Sequence, residues 1–203
     1  MLLAMTGKPG RPRSLTLEQI ARAALDDGLS DFSMPSVARR LGVAHSALYR
    51  YVTDREALLA SGIALAISET EWPDSDQAWD QLLPALGEAI WDLCDRNPGL
   101  DRAALNVTHE IDETTEHFRG YVRSMHEQGF GVDDAGVALD FVYRIALSAS
   151  AEQGRLRRIG GPNGDVSDEL KVFASDEAWG GRGLYERQLR IAMTGIAALR
   201  IDG

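Results

Sequence analysis

The chain has 203 residues, of which 44% are hydrophobic and 26% charged, and its formal net charge is −10 at pH 7. This composition is that of an ordinary globular protein and excludes a wholly disordered chain. No apolar run approaches the roughly 20 residues that cross a bilayer, residues 1–5 are too short for a signal peptide, and the single Cys94 excludes an internal disulfide. We therefore expect a cytoplasmic protein with no membrane partner.

The charge is divided unevenly along the chain. Residues 1–60 contain eight Lys/Arg and six Asp/Glu, a balance of +2, so residues 61–203 carry the remaining −12. A basic end on an acidic body suits a site-specific DNA-binding protein, because the body suppresses loose association with DNA. An acidic surface that serves only solubility is the alternative.

The N-terminal sixty residues predict a mobile tail followed by short helices. Residues 1–13 are rich in Gly, Pro and basic residues, as in disordered leaders. Thr16 and Gln19 are spaced as a capping box that opens a first helix, which ends near Gly28. Ser33 is the predicted N-cap of a second helix, and Gly42 is its predicted left-handed stop.

A third, very short helix is predicted over residues 45–51, and Thr53 with Glu56 predicts a capping box that opens a fourth. From Trp79 to Cys94 an apolar stripe predicts a longer helix, which Pro84 should kink or split. Further helices are expected near residues 100–107, 113–128, 133–158 and 184–200. No segment shows sustained strand alternation, so the predicted fold is all-α.

The stretch from Ser33 to Leu59 has the pattern of a helix-turn-helix. Residues Val37, Ala38 and Leu41 would pack inward, residues 42–44 would form the turn, and Leu48 with Val52 would anchor the next helix. The side chains left facing outward on the recognition helix can reach base edges in the major groove. These are His45, Ser46, Ala47, Tyr49 and Arg50.

A second group of N-terminal residues is placed to contact phosphates. Tyr51, Thr53 and Arg55 lie at the start of the fourth helix, and Ser33 lies at the start of the second, with Arg39 or Arg40 nearby. Helix N-termini bind phosphate through their free N–H groups. Arg11 and Arg13 on the tail could enter an adjacent minor groove, although a merely disordered leader is the alternative.

Residues 16–67, with MPSVARRLGVAHSALYRYVTDREALL as the diagnostic core, resemble the DNA-binding domain of the tetracycline-repressor (TetR) family of bacterial regulators. The resemblance implies a three-helix DNA-binding domain over residues 14–60, after the tail of residues 1–13, and a larger helical domain over residues 61–203. In that family the larger domain forms the dimer and holds a small ligand. The resemblance therefore implies two further partners besides a second copy of the chain, namely a double-stranded DNA operator and an unidentified small-molecule effector.

The sequence supports a homodimer independently. The helices near 133–158 and 184–200 carry apolar residues on more than one face. A helix that packs only against its own domain needs a single apolar stripe. Packing against a symmetry mate as a four-helix bundle would cover the additional face. Burial of both faces within one chain is the alternative.

Candidate ligand-binding residues are large, amphipathic or adaptable side chains on the helices where the family keeps its cavity. They are Trp79, Trp91, His109, Tyr121, Met125, Phe141 and Trp179, each of which could instead be an ordinary core residue. The His and acidic residues between 109 and 117 could suggest a metal site. We do not predict one, because acidic first turns of helices are common and no Cys joins the set.

The predicted function is a homodimeric one-component transcriptional regulator, a repressor that binds a palindromic operator and is released by a small hydrophobic or aromatic ligand. No cofactor is expected. An enzyme is not expected either, because the sequence has no phosphate-binding glycine loop, zinc motif or nucleophile elbow. The alternative is a DNA-binding adaptor that responds to a protein partner or to no ligand, and a solid interior would favour it.

Overall fold

In a computed structural model of the protein, the residues described are 15–106, 112–159 and 181–200. Within these ranges the chain forms helices and no named strand, which confirms the all-α prediction. The helices are α1 (Leu17–Asp27), α2 (Met34–Leu41), α3 (His45–Leu48), α4 (Arg55–Ser68), α5 (Trp79–Arg96), α6 (Leu100–Ala104), α7 (Asp112–Glu127), α8 (Val132–Ile159) and α9 (Gly181–Ala197). Of the helices described, none is long and apolar enough to cross a membrane.

Local hydrogen bonds explain where the first two helices begin. The Thr16 hydroxyl accepts from the Gln19 N–H at 3.2 Å, and the Gln19 side chain accepts from the Thr16 N–H, so the predicted capping box is confirmed. Ser33 caps α2 in the same reciprocal way with Ser36. These caps satisfy N–H groups that have no partner inside the helix.

The turn after α2 has the predicted left-handed glycine. Gly42 has φ 66° and ψ 30°, and its N–H donates to the carbonyls of Ala38 and Arg39. The third helix is shorter than expected, because α3 ends at Leu48 and a hydrogen-bonded turn follows it. Leu48 and Val52 are both buried, so they anchor this segment as predicted.

The prediction that Thr53 and Glu56 form a capping box is wrong. Asp54 is the N-cap of α4, and its carboxylate accepts from the Ala57 N–H at 2.8 Å. The Thr53 hydroxyl instead donates to the other oxygen of Asp54 at 3.3 Å. The helix therefore begins one residue later than the Thr53 pattern indicates.

Helix α4 joins the N-terminal helices to the body, because it packs along α1 as far as the Arg22–Glu69 ion pair and also contacts α6 and α7. In the body, the long helix α8 packs against α5, α6, α7 and α9. Pro84 does not split α5, which continues from Trp79 to Arg96 with Pro84 in its second turn. There the proline removes one backbone hydrogen bond without ending the helix.

Candidate DNA-binding surface and ligand cavity

The residues predicted to contact base edges form an exposed patch around α3. The side chains of His45, Ser46, Tyr49 and Arg50 are exposed, while Ala47 is partly buried. The His45 and Tyr49 rings meet edge to face at 5.2 Å, with the Tyr49 hydroxyl 3.5 Å from the His45 Nε2 atom. The patch therefore offers hydroxyl, imidazole, aromatic and guanidinium groups to solvent.

The arginines around this patch differ in their partners. Arg40 is held by Asp27 at 2.6 Å and lies 3.9 Å from Asp26. Arg39 and Arg50 are exposed and make no ion pair with any residue that the structure describes. Arg39 and Arg50 are thus more available to an incoming polyanion than Arg40.

The predicted phosphate-contacting residues lie at the starts of α2 and α4. Ser33 and Thr53 are exposed, and Tyr51 is partly buried. Arg55 has a structural role that sequence reasoning missed: it donates to the Phe32 carbonyl at 3.2 Å and to the Ser30 carbonyl at 3.4 Å. Its guanidinium also lies 4.5 Å from the centre of the Phe32 ring.

Arg55 thereby fastens the start of α4 to the loop between α1 and α2, beside Ser33. The fork of N–H donors on an arginine can bind several oxygens at once. The predictions for Arg11 and Arg13 lie outside the described residues.

A cavity of about 770 Å³ lies among α4, α5, α6, α7 and α8. Pockets for small molecules are typically about 300–1,000 Å³. Most of the lining residues are aliphatic or aromatic: Ile63, Ile67, Trp72, Leu86, Ile90, Leu93, Leu100, Ala104, Phe118, Tyr121, Val122, Val132, Tyr143 and Leu147. Polar groups come from Thr115, His117, Arg119, Arg123, His126 and Asp140.

One of the seven predicted ligand residues, Tyr121, lines this cavity. Its hydroxyl donates to the Pro73 carbonyl at 2.9 Å, and burial raises its pKa to about 12, so it stays protonated at neutral pH. Four others lie elsewhere, and His109 and Trp179 lie outside the described residues. The Trp79 ring packs on Phe130, Trp91 packs on Tyr185, Met125 is fully buried, and Phe141 is 51% exposed.

Several lining residues were not predicted, although α7 carried a signal for them. Thr115, Phe118, Val122 and His126 recur at helical spacing and share one face of that helix. The His126 Nδ1–H donates to the Phe130 carbonyl at 2.9 Å, which leaves Nε2 as the remaining ring nitrogen. Trp72, by contrast, lies between α4 and α5, where no helical periodicity marks it as a lining residue.

Among the residues that the structure describes, the cavity is lined by neither a metal-ligand cluster nor a reactive thiol. Across the described ranges, no three His, Cys, Asp or Glu side chains are grouped as metal ligands. His117 lies against the Trp72 ring, with 5.6 Å between ring centres. Burial raises the pKa of Cys94 to about 12, so this thiol stays protonated and unreactive at neutral pH.

The cavity and the N-terminal helices are physically connected in two places. Helix α4 carries Arg55 at its first residue and lines the cavity further along with Ile63 and Ile67. In addition, the Ser30 hydroxyl donates to the Gly99 carbonyl at 3.1 Å. Gly99 lies between α5 and α6, whose residues Leu93 and Leu100 line the cavity.

Comparison with known proteins identifies the N-terminal domain. Residues 17–61 match the family model described as bacterial regulatory proteins, tetR family. No curated protein sequence matches the chain. The sequence signal is therefore concentrated in the helices that form the exposed patch.

Solved structures match over nearly the whole chain, with identities that establish the fold alone. Apo ActR from Streptomyces coelicolor has a TM-score of 0.72 at 19% identity, covering 91% of this chain and 98% of its own. A single-substitution variant of TetR from Acinetobacter baumannii AYE, in complex with minocycline, has a TM-score of 0.74 at 18% identity, covering 93% and 98%. Mycobacterium smegmatis BioQ has a TM-score of 0.71 at 18% identity, covering 91% and 99%. The match to the tetR family of bacterial regulatory proteins thus covers residues 17–61, and the likeness over the rest of the chain is one of fold.

Proposed function

We propose that this transcriptional regulator is a homodimeric, one-component repressor that binds a palindromic operator and leaves it when a small hydrophobic or aromatic molecule binds. The proposal rests on the position of α4. This helix begins with Arg55 at the DNA-binding end and lines the cavity with Ile63 and Ile67. A ligand that prefers one position of α4 would therefore shift the position of the DNA-binding helices.

The proposed domain division follows from this arrangement. A basic tail over residues 1–13 would precede the DNA-binding unit of residues 14–60, and residues 61–203 would form the regulatory unit. In the DNA-binding unit, Arg50 is assigned to base edges because it is exposed beside α3. Ser33, Tyr51, Thr53 and Arg55 are assigned to phosphates, which fix the register of the protein on DNA.

A second copy of the chain is the proposed partner of α8 and α9. Both helices keep large apolar side chains exposed: Val137 at 65%, Phe141 at 51% and Ile191 at 73%. Exposed apolar groups of this size on adjacent helices favour burial against a symmetry mate. A two-fold dimer would also place two DNA-binding units on one inverted repeat.

The ligand-responsive function is favoured over the adaptor by the interior of the body. An adaptor would need no cavity, whereas this body contains about 770 Å³ of mostly apolar space. Among the similar structures, ActR has been solved with (S)-DNPA and with actinorhodin, and the TetR variant from Acinetobacter baumannii with minocycline. These complexes support a small-molecule effector for the present chain.

Selection of bound sequences from a pool of random DNA duplexes tests the proposal. We expect an inverted repeat whose half-sites lie about one helical turn apart, roughly 34 Å. An Arg50→Ala variant should recover a more degenerate half-site. Recovery of an asymmetric site, or of no preferred site, would contradict a palindrome-binding dimer.

A further inference from the structure

Three basic side chains of α7 lie in a row at the rim of the cavity. Arg119, Arg123 and His126 each line the cavity and are also exposed to solvent, so they lie where the cavity opens. They are spaced at i, i+4 and i+7, which places them on one face of the helix over roughly 10 Å. This row belongs to a part of the chain, residues 61–203, that carries a charge of −12.

The charges around the rim are not all balanced. Arg119 lies 3.4 Å from Glu116, and the rim carboxylate of Asp140 lies 2.6 Å from Arg144. Arg123 has neither an ion pair nor a hydrogen bond to the side chains described. As far as the described residues show, the opening therefore presents the Arg123 guanidinium without a paired carboxylate, beside a mostly apolar interior.

Inside the cavity, Tyr143 supplies one more polar group. Its hydroxyl has no hydrogen-bond partner within the described residues, and it is partly buried among the lining side chains. Burial raises the pKa of Tyr143, so the hydroxyl is protonated at neutral pH and can donate. The remaining walls offer mainly aliphatic and aromatic contacts.

We propose that the ligand is a hydrophobic carboxylic acid, bound with its carboxylate at Arg123 and its apolar body in the cavity. A guanidinium fork matches the two oxygens of a carboxylate, and the aliphatic walls would bury the rest of the molecule. This inference rests on the proposed function and adds the chemical class of the effector. It also explains the presence of Arg123 at the opening of a mostly apolar cavity in an acidic domain.

Matched pairs of acids and amides test the proposal on the full chain. The probes are 2-naphthoic acid, biphenyl-4-carboxylic acid and dodecanoic acid, each compared with its primary amide by isothermal titration calorimetry. Each pair keeps the apolar body and changes the charge. We expect at least one acid to bind about tenfold more tightly than its amide, a preference that falls as salt is raised.

The Arg123→Gln variant should lose this preference while its affinity for the amide stays unchanged, which would also show that the variant is folded. Arg96→Gln is the matched control, because Arg96 lies at the end of α5 outside the cavity and donates to the Asp92 carbonyl. It should bind both members of each pair as the wild type does.

Two results would overturn the inference, and they differ in what they say about the proposed function. Equal affinity for acid and amide in the wild type would exclude a carboxylate site but keep a ligand-binding regulator. Failure of every pair to bind would exclude both the carboxylate site and a general hydrophobic ligand site. Site-specific DNA binding, measured separately, would then support the adaptor.

Discussion

Replacement of Tyr185 by Phe should stabilise the protein. The Tyr185 hydroxyl is buried without a hydrogen-bond partner among the described residues, and its ring packs 5.4 Å from Trp91. An unsatisfied buried polar group costs about 1–3 kcal/mol, whereas phenylalanine keeps the ring contacts. We expect the free energy of unfolding to rise by about 1 kcal/mol, which corresponds to roughly 2–4 °C in Tm for a chain of this length.

A substitution at Gly87 on α5, alone and combined with Tyr185→Phe, extends the same test. A Cβ atom added to Gly87 would overlap the Tyr185 hydroxyl oxygen, whereas the ring carbon Cζ would lie 3.2 Å away. Gly87→Ala alone should therefore cost about 1–3 kcal/mol from overpacking. In the Tyr185→Phe background the overlap with the hydroxyl is gone, although Cβ still lies 3.2 Å from the ring carbon Cζ and 3.3 Å from Val142 Cγ1, so Gly87→Ala should cost less there than in the wild type.

The two substitutions should thus be coupled by at least about 1 kcal/mol in a double-mutant cycle. Thermal and urea unfolding, followed by circular dichroism, measures the cycle, and all variants are compared at one protein concentration because the stability of the proposed dimer depends on concentration. A destabilised Tyr185→Phe variant would mean that the hydroxyl has a partner. Additive effects of the two changes would refute the predicted overlap between α5 and α9.

Four further substitutions test the turn, the DNA contacts and the proposed dimer. Gly42→Val should lower the free energy of unfolding by about 1–2 kcal/mol, because φ is 66° there, and unchanged urea unfolding would refute this. Arg50→Ala should cost roughly 1–3 kcal/mol of binding free energy on the cognate site and little on random DNA. Arg55→Ala should weaken binding to both kinds of DNA and flatten the salt dependence. Anisotropy titrations in which both variants lose affinity equally on the two kinds of DNA would contradict this division. Ile191→Glu should shift sedimentation toward the monomer, because that side chain is 73% exposed on α9, and an unchanged dimer would place the interface elsewhere.

The local features of the fold were predictable because their causes lie a few residues apart. The Thr16–Gln19 box and the Gly42 turn depend on neighbours within one helical turn. The start of α4 was misplaced because Thr53 and Asp54 both have capping side chains. The competition between them was decided by the bond from the Ala57 N–H to Asp54.

The site was harder to predict because it depends on how helices rotate against one another. An apolar stripe places Trp91 and Phe141 on helices but does not say which neighbour each residue faces. In the structure Trp91 packs on Tyr185, and Phe141 lies on the exposed face of α8, away from the cavity. The carbonyl partners of Arg55 lie 23 and 25 residues earlier in the chain, beyond the reach of local patterns.

Site-specific DNA recognition is tested most directly by a fluorescence-anisotropy titration of the full chain at near-physiological salt. The labelled DNA would be the selected inverted repeat, compared with a duplex of the same composition in scrambled order. We expect binding to the repeat that is tighter by about a thousandfold or more. Equal, weak binding to both duplexes would contradict site-specific recognition by the patch around α3.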